Sequence, residues 1–292
     1  MKLAAIDIGS NAARLLITEV IVDENKEPVF NKLNLFRVPL RLGFEVFESG
    51  MISKQKTGML IQTMKAFKHL ANAYEVKHIK ACATSAMRDA KNADDIIRKV
   101  KLETDIRIEV ISGDMEAGLI FENHIAETLD KDHSYMYIDV GGGSTELSFF
   151  SNGVLIFKES FNIGTIRLLQ GMVHDKTWEV MKEIIKTVTK DQKEVMAIGS
   201  GGNINKVFTM AKGKEGKPLT LDLLKDYYKE LNSVSLEDRI KLYNLKPDRA
   251  DVIVPALLIY STAMRWAGAN EIYVPKIGLV DGLVHHMWDE LK

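Results

Sequence analysis

The sequence predicts an α/β protein made of two similar domains. Strand-like and helix-like segments alternate along the chain, which is typical of sheets covered by helices. Asp7 and Asp139 each stand in a glycine-rich motif between two apolar strands, so the chain carries two hairpins of the same build. Hairpins this far apart indicate duplication of a whole domain, and 292 residues accommodate two domains of ordinary size.

The composition is that of a globular protein with a sizeable core, since 46% of residues are hydrophobic and 27% charged. The net charge of −1 provides no bulk field for nucleic acid or for a membrane surface, and we expect neither partner. Cys82, the single cysteine, excludes an internal disulfide and is consistent with a reducing compartment. No leader-like segment opens the sequence, and the most apolar stretch, 252–263, is too short to span a bilayer. We therefore expect a cytoplasmic protein.

Residue periodicity predicts the elements of the first half of the chain. Strands are predicted at Lys2–Ile8, Arg14–Val22, Val29–Val38, Ile79–Ala83 and Ile106–Ile111. Helices are predicted at Lys54–Tyr74, Asn92–Leu102 and Met115–Leu129. Ser53 is the expected N-cap of the first of these helices.

The same pattern then restarts. Strands are predicted at Tyr135–Val140, Glu146–Ser151, Val154–Phe161, Val195–Gly199 and Ile272–Val274. Helices are predicted at Thr165–Gln170, Thr177–Thr189, Asn203–Met210, Thr220–Leu231, Leu236–Leu242, Ala250–Ala267 and Leu279–Leu291.

Both hairpins carry groups of the kind that can bind phosphate. In the first, Asp7 precedes a turn of Gly9, Ser10 and Asn11, which is neither a Rossmann fingerprint nor a P-loop. Such a turn offers backbone N–H groups and hydroxyls to a phosphate, while the Asp offers oxygen to a divalent cation. An ordinary hairpin turn, where these residues are common, remains the alternative.

The second hairpin is more specific. Its turn contains Gly141, Gly142, Gly143, Ser144 and Thr145. Consecutive glycines are costly in backbone entropy, so a ligand that approaches the backbone closely explains them better than turn formation alone. Two carboxylates, Asp139 and Glu146, flank the turn and could hold Mg²⁺ beside phosphate oxygens.

Further candidates lie where a strand leads into a helix. Arg88 follows Thr84 and Ser85 and could bind a phosphate, or it could be a surface residue on a capped helix. Glu116 could orient or deprotonate a water, or it could serve in a capping box.

A third glycine cluster includes Gly201 and Gly202 and precedes another helix, whose N-terminus could take an anion. Arg249 is a further candidate cation, with a surface residue or a partner of Asp251 as the alternative.

Together these segments resemble the exopolyphosphatase/guanosine pentaphosphate phosphohydrolase (Ppx/GppA) family. The similarity covers nearly the whole chain and rests on motifs that stand in family order, with Ala12 departing from the serine usual at its position. The motifs are Asp7-Ile-Gly-Ser-Asn, Arg41-Leu-Gly, Ala83-Thr-Ser-Ala-x-Arg88, Ile111-Ser-Gly-x-x-Glu116, Asp139-x-Gly-Gly-Gly-Ser-Thr-Glu146, Gly164-x-x-Arg167, Gly199-Ser-Gly-Gly-Asn203, Arg249-Ala-Asp251 and Gly278-Leu-Val-Asp-Gly282.

The resemblance implies two actin-like (ribonuclease H-like) domains of the sugar kinase/Hsp70/actin superfold flanking a cleft. Domain I would comprise residues 1–125 with about 278–292, and domain II residues 126–277. The implied activity is Mg²⁺-dependent release of terminal phosphate from polyphosphate by water attack. Glu116 would activate the water, Arg88 would steady the phosphoryl group, and Asp139 and Glu146 would engage metal or water. Asp7 remains a candidate metal ligand because it stands near the end of a strand.

Other functions remain open at this level. The same chemistry would serve a guanosine pentaphosphate (pppGpp) 5′-phosphatase. A nucleotide or alarmone sensor with little turnover, or a sugar kinase of the same superfold, is also compatible with the fold. The sequence leaves chain-length preference and oligomeric state open, a homodimer included.

Overall fold

The computed structural model of the chain describes residues 1–24, 27–121, 133–192 and 194–292. Its residue contacts divide it into two compact units. Unit 1 contains residues 1–121 and Gly278–Lys292, and unit 2 contains residues 133–277. The domain boundary predicted between residues 125 and 126 lies outside the described residues.

The strands and helices have the following bounds. The strands are β1 Lys2–Ile8, β2 Ala13–Val22, β3 Pro28–Val38, β4 His78–Ala83, β5 Ile108–Val110, β6 Ser134–Val140, β7 Thr145–Ser151, β8 Val154–Phe161, β9 Val195–Ser200, β10 Leu219–Thr220 and β11 Glu271–Tyr273. The helices are α1 Leu42–Ser49, α2 Lys54–Ala73, α3 Ser85–Asp89, α4 Ala93–Thr104, α5 Gly113–Phe121, α6 Thr165–Leu169, α7 Asp175–Thr189, α8 Gly202–Met210, α9 Leu221–Ser233, α10 Leu236–Leu242, α11 Pro247–Ala250, α12 Ile253–Ala267 and α13 Leu279–Glu290.

Each unit is built on one mixed sheet. The sheet of unit 1 has the order β3-β2-β1-β4-β5, and that of unit 2 has the order β10-β11-β9-β6-β7-β8. In both sheets an antiparallel hairpin, β1–β2 or β6–β7, is joined to a parallel neighbour, β4 or β9. The repeated arrangement confirms the predicted α/β class and places each glycine-rich turn at the carboxyl end of a central strand.

The C-terminal helix α13 completes the core of unit 1. It packs against β1, β2 and α5. Lys32 Nζ lies 2.6 Å from Asp281 Oδ1, and Lys80 Nζ lies 2.8 Å from Glu290, so ion pairs fix both ends of the helix. Gly282 allows α13 to approach closely, because a Cβ atom there would lie 1.7 Å from the carbonyl oxygen of Leu119.

The core of unit 2 is organised around α12. Most of this helix is buried, including Ile253, Leu257 and Tyr260, because it packs against β6, β9 and several helices. Apolar residues on nearly all its faces are expected of a central helix.

Most predicted elements are confirmed to within a few residues, and the differences have physical causes. Ser53 accepts a hydrogen bond from the N–H of Lys56 at 3.2 Å and is the predicted N-cap of α2. The single helix predicted at Ala250–Ala267 is wrong at its start, because α11 ends at Ala250 and α12 begins at Ile253. Helices α1 and α3 were not predicted, since segments this short show too little periodicity. The helix predicted at Met115–Leu129 is described as far as Phe121, and the rest lies outside the described residues.

Within the described part of the chain, no helix combines the length and the apolar character needed to cross a membrane.

We expect Gly282→Ala to destabilise unit 1 strongly. The new methyl group would overlap the backbone of α5, and overpacking of this kind costs about 1–3 kcal/mol or more. Gly58→Ala is the matched control, because Gly58 lies within α2 and a Cβ atom there would have no atom within 4 Å apart from its chain neighbours and the backbone of its own helix. Alanine there should stabilise the helix by about 0.5–1 kcal/mol. Urea unfolding of both variants checks this, and equal midpoints for the two would contradict the close packing of α13.

Candidate active site

In unit 1, neighbouring segments fix the turn of the first hairpin. The N–H of Gly9 donates to the carbonyl of Ala12 at 3.1 Å, which closes the turn. The carbonyl of Ser10 accepts from the N–H of Gly43 at 2.8 Å, and that of Asn11 accepts from Arg41 at 2.9 Å. The motif that begins at Arg41 therefore holds the hairpin turn in place through two backbone hydrogen bonds.

The hydroxyl groups of this region also connect two strand ends. Ser10 Oγ lies 2.8 Å from Ser85 Oγ, and both residues are buried. Because Ser85 begins α3 and only Thr84 separates it from β4, the bond ties the β1–β2 turn to the carboxyl end of the neighbouring strand.

Asp7 is buried and paired with Arg14, the residue directly opposite on β2. Arg14 Nη1 donates to Asp7 Oδ2 at 2.9 Å. Asp7 Oδ1 is buried and has no hydrogen-bond partner among the described residues. Burial raises the pKa of Asp7, and the charge of Arg14 opposes this shift. The guanidinium of Arg14 therefore already compensates the negative charge of Asp7, which weakens the attraction of Asp7 for a metal ion.

Arg88 and Glu116, predicted from separate motifs, form an ion pair. Arg88 Nη1 donates to Glu116 Oε2 at 3.1 Å and to the carbonyl oxygen of Ile111 at 2.8 Å. Glu116 is 8% exposed, so neither a surface arginine nor a solvated carboxylate describes the pair. Ser112 Oγ accepts from the N–H of Met115 at 3.1 Å, so Ser112 supplies a cap for α5 and Glu116 is held by Arg88.

Cys82 lies close to these groups but remains part of the core. It is 1% exposed, and burial together with the nearby carboxylates of Asp7 and Glu116 raises the pKa of its thiol well above the ordinary value. The thiol is therefore protonated near neutral pH and is not an activated nucleophile.

In unit 2, Asp139 and Glu146 are cross-strand partners on the second hairpin. Glu146 is 2% exposed and its Oε1 accepts from Ser160 Oγ at 2.7 Å. Among the described residues, no group of at least three Asp, Glu, His or Cys side chains could hold a metal ion. Mg²⁺ usually takes one or two carboxylates and completes its shell with water and phosphate oxygens, and this carboxylate pair fits that requirement.

The turn of the second hairpin, Gly141–Ser144, is called the glycine loop below. Its carbonyl groups accept hydrogen bonds from the start of α6: Thr165 N–H to Gly141 at 3.1 Å, Ile166 N–H to Gly142 at 2.8 Å, and Arg167 Nε to Gly143 at 2.7 Å. A Cβ atom at Gly164 would lie 2.4 Å from the carbonyl oxygen of Gly142. The loop and the helix therefore pack backbone against backbone.

The third glycine cluster and Arg249 meet at the N-terminus of α8. A Cβ atom on Gly202 would lie 2.7 Å from Arg249 Nη1, so the guanidinium covers this glycine. Arg249 Nη1 also donates to Asn203 Oδ1 at 3.2 Å. Gly201 has φ +105°, which L side chains rarely adopt, and a Cβ atom there would lie 3.0 Å from Asp139 Oδ1. The structure thus brings Gly201, Gly202, Arg249 and Asp139 to one edge of the sheet.

Tyr260 of α12 lies beneath this edge. Its hydroxyl donates to the carbonyl of Ser200 and accepts from the N–H of Val140 at 3.3 Å. Burial and the nearby Asp139 carboxylate raise the pKa of Tyr260 well above its ordinary value, so the hydroxyl keeps its proton. It joins the last residues of β6 and β9, from which the two glycine-rich loops start.

The sequence-based interpretation missed the roles of Arg14, Arg167 and Tyr260. The hairpin length could have placed Arg14 opposite Asp7. A tyrosine in an apolar helix is a weak signal of a buried hydrogen bond. Nothing local to Arg167 indicates that its side chain reaches back to the glycine loop.

A separate depression of about 1210 Å³ lies at the amino ends of β9 and β11 in unit 2. Lys186, Lys190 and Arg265 line it, near the C-terminal ends of α7 and α12. Cations at these positions compensate the helix dipoles, so their presence alone does not indicate an anion site.

Comparisons with known proteins agree with the motifs. The family profile described as the Ppx/GppA phosphatase family matches residues 20–291. Exopolyphosphatase 1 of Mycobacterium leprae is 26% identical, with 97% of this chain and 88% of that protein covered. A bifunctional 3-dehydroquinate synthase/phosphatase of Fusobacterium nucleatum is 29% identical over 93% of this chain, which spans only 44% of that protein's length.

Solved structures show the same fold. The chain is similar to an exopolyphosphatase from Cytophaga hutchinsonii with a TM-score of 0.85 and 25% identity, covering 100% of this chain and 99% of that one. It is also similar to the Aquifex aeolicus member of the Ppx/GppA family, with a TM-score of 0.76, 25% identity and the same coverage. The expected actin-like fold is confirmed.

We expect Arg14→Met to destabilise the protein in a pH-dependent way. Without Arg14, Asp7 becomes a buried unpaired carboxylate, which costs about 1–3 kcal/mol. Burial raises the folded-state pKa of Asp7 above its unfolded value, so the penalty is absent below the unfolded pKa and grows as pH rises through the folded pKa. Urea unfolding at pH 4 and pH 7 should therefore show the larger loss at pH 7. The Asp7→Asn/Arg14→Met double variant is the control and should lack this pH dependence. An equal loss at both pH values in Arg14→Met would contradict the assignment.

Proposed function

The chain belongs to the Ppx/GppA phosphatase family and is accordingly a hydrolase of phosphoric anhydrides, and we propose that it releases the terminal phosphate of inorganic polyphosphate. The observation that carries the proposal is the ion pair between Arg88 and the buried Glu116 at the carboxyl edge of the unit 1 sheet. An arginine that holds a buried carboxylate is suited to a reaction in which a water attacks a phosphoryl group.

Glu116 is the proposed general base. Its carboxylate takes a proton from the attacking water while the new oxygen–phosphorus bond forms and the bridging oxygen–phosphorus bond breaks. The electron pair stays on the shortened chain, and orthophosphate is the other product. Arg88 orients the Glu116 carboxylate and stabilises charge on the phosphoryl oxygens.

Phosphate oxygens are bound, in this proposal, by backbone N–H groups and by Arg249. The proposed donors are the N–H groups of Ser10 and Asn11 in the turn that Gly9 closes, those of Gly142, Gly143 and Ser144 in the glycine loop with Thr145 beside it, and those of Gly201 and Gly202 at the start of α8. Thr145 donates to the carbonyl of Ile163 at 2.6 Å and is 0% exposed, so its role is to hold the loop. Phosphoryl transfer depends mainly on such positioning and charge neutralisation.

Asp139 and Glu146 are the residues proposed to hold Mg²⁺. The ion would neutralise charge on the phosphate oxygens. Asp7 is the weaker ligand, because Arg14 already compensates its charge, whereas the corresponding cross-strand position of the second hairpin is the acidic Glu146.

Polyphosphate fits these groups better than a nucleotide does. Each candidate donor described above is an N–H group or a guanidinium, and such groups bind phosphate oxygens without needing a base or a sugar on the substrate. The exopolyphosphatases named above are relatives matched over most of both chains. These points support polyphosphate and leave pppGpp as the substrate against which the proposal is tested.

A phosphate-release assay on polyphosphate and on pppGpp tests the substrate. We expect release from polyphosphate at the higher kcat/KM, loss of release in excess EDTA, and recovery when Mg²⁺ is restored. Faster release from pppGpp would show that pppGpp, and not polyphosphate, is the preferred substrate. No release from either compound would overturn the hydrolytic function. Consumption of ATP that requires an added alcohol would indicate a kinase.

Replacing Glu116 by glutamine should abolish turnover and leave binding intact. The amide keeps the shape of the side chain but cannot accept the proton, so kcat should fall by ~10²–10⁴. Titration calorimetry with tripolyphosphate should give an affinity within about threefold of the wild type. Glu109→Gln, an exposed carboxylate on β5, is the control and should keep full activity. A wild-type rate in Glu116→Gln would remove Glu116 as the base.

A further inference from the structure

The glycine loop turns one side of its backbone toward α6. The carbonyl groups of Gly141, Gly142 and Gly143 all accept hydrogen bonds from the first turn of this helix. These bonds also satisfy N–H groups that a helix start leaves without intrahelical partners. Loop and helix therefore fix each other's orientation.

The planarity of the peptide bond determines where the other side of the loop points. In a trans peptide, the carbonyl of one residue and the N–H of the next point in opposite directions. The N–H groups of Gly142, Gly143 and Ser144 must therefore point away from α6. None of them donates to a protein acceptor among the described residues, although Gly143 and Ser144 are buried. Consecutive N–H groups in this arrangement form an anion-binding concavity.

One side chain holds the last of these peptide units. The carbonyl of Gly143 is bonded to Arg167 Nε at 2.7 Å, whereas the carbonyls of Gly141 and Gly142 are bonded to backbone N–H groups of α6. A backbone bond remains in any variant, but the bond to Gly143 depends on a guanidinium at position 167. Without it, the carbonyl of Gly143 loses the hydrogen bond that fixes this peptide unit, and the backbone freedom of glycine lets the peptide between Gly143 and Ser144 change its orientation.

We propose that Arg167 is a positioning residue for phosphate binding, which sets the peptide plane that aims the Ser144 N–H at a phosphate oxygen. The proposal rests on the proposed function for the identity of the anion. Arg167 acts through the backbone of the loop, so geometry at Nε matters more than the positive charge. Loss of one hydrogen-bond donor from a preorganised site of this kind lowers the reaction rate strongly.

The test compares Arg167→Ala and Arg167→Lys with Arg265→Ala, an exposed arginine at the other edge of unit 2. We expect kcat/KM for phosphate release to fall ~10–100-fold in both Arg167 variants and to stay unchanged in Arg265→Ala. Lysine keeps the charge but has no Nε donor at this position. Ethylguanidinium added to Arg167→Ala should restore part of the activity, and it should not activate Arg167→Lys.

A second measurement separates this proposal from the proposed function. Tripolyphosphate is titrated calorimetrically into Glu116→Gln and into Glu116→Gln/Arg167→Ala. The titration measures binding and does not require turnover. We expect at least tenfold weaker binding in the double variant. If the wild type hydrolyses neither substrate, the proposed function fails, and this titration still decides the role of Arg167. Unchanged affinity, full activity of Arg167→Lys, or a loss that ethylguanidinium cannot reverse would each overturn the positioning role.

Discussion

The hydrogen bonds between the glycine loop and α6 are the constraint on which the candidate site of unit 2 depends. They hold the carbonyl groups of Gly141–Gly143 on one side, and peptide planarity then places the following N–H groups on the other. Position 164 requires glycine, because the backbone of the loop occupies the space that a Cβ atom would need. A helix of only five residues, α6, thus determines the orientation of the loop.

The two hairpins share a backbone plan but differ in charge. Asp7 faces Arg14 across its hairpin, whereas Asp139 faces Glu146 at the corresponding position. An Asp–Arg pair is nearly neutral, and a pair of carboxylates has a strong attraction for a divalent cation. The two hairpins are therefore suited to different electrostatic tasks although their turns have the same length. This difference is the physical reason for proposing the second hairpin as the Mg²⁺ site.

Several candidate groups are positioned by buried side-chain hydroxyl groups. Tyr260 joins the ends of β6 and β9 through one hydroxyl, and Ser85 joins the first turn to α3. Both side chains are buried, where an unsatisfied polar group is costly, so these bonds fix the strand ends firmly. The site is consequently built on rigid sheet edges, which suits a reaction that depends on positioning.

The sequence by itself determined the α/β class, the duplicated hairpins and the family, because strand alternation and glycine turns are local patterns with local causes. It also named Arg88, Glu116 and Arg249 as candidates. Only the tertiary structure decided that Arg88 pairs with Glu116, that Arg249 covers Gly202, and that Arg167 reaches the glycine loop. These contacts join residues that are far apart in the sequence, and periodicity carries no information about such pairs. The break between α11 and α12 was missed because Asp251 and Val252, which lie between the two helices, keep helix-like backbone angles and include neither glycine nor proline as a stop signal.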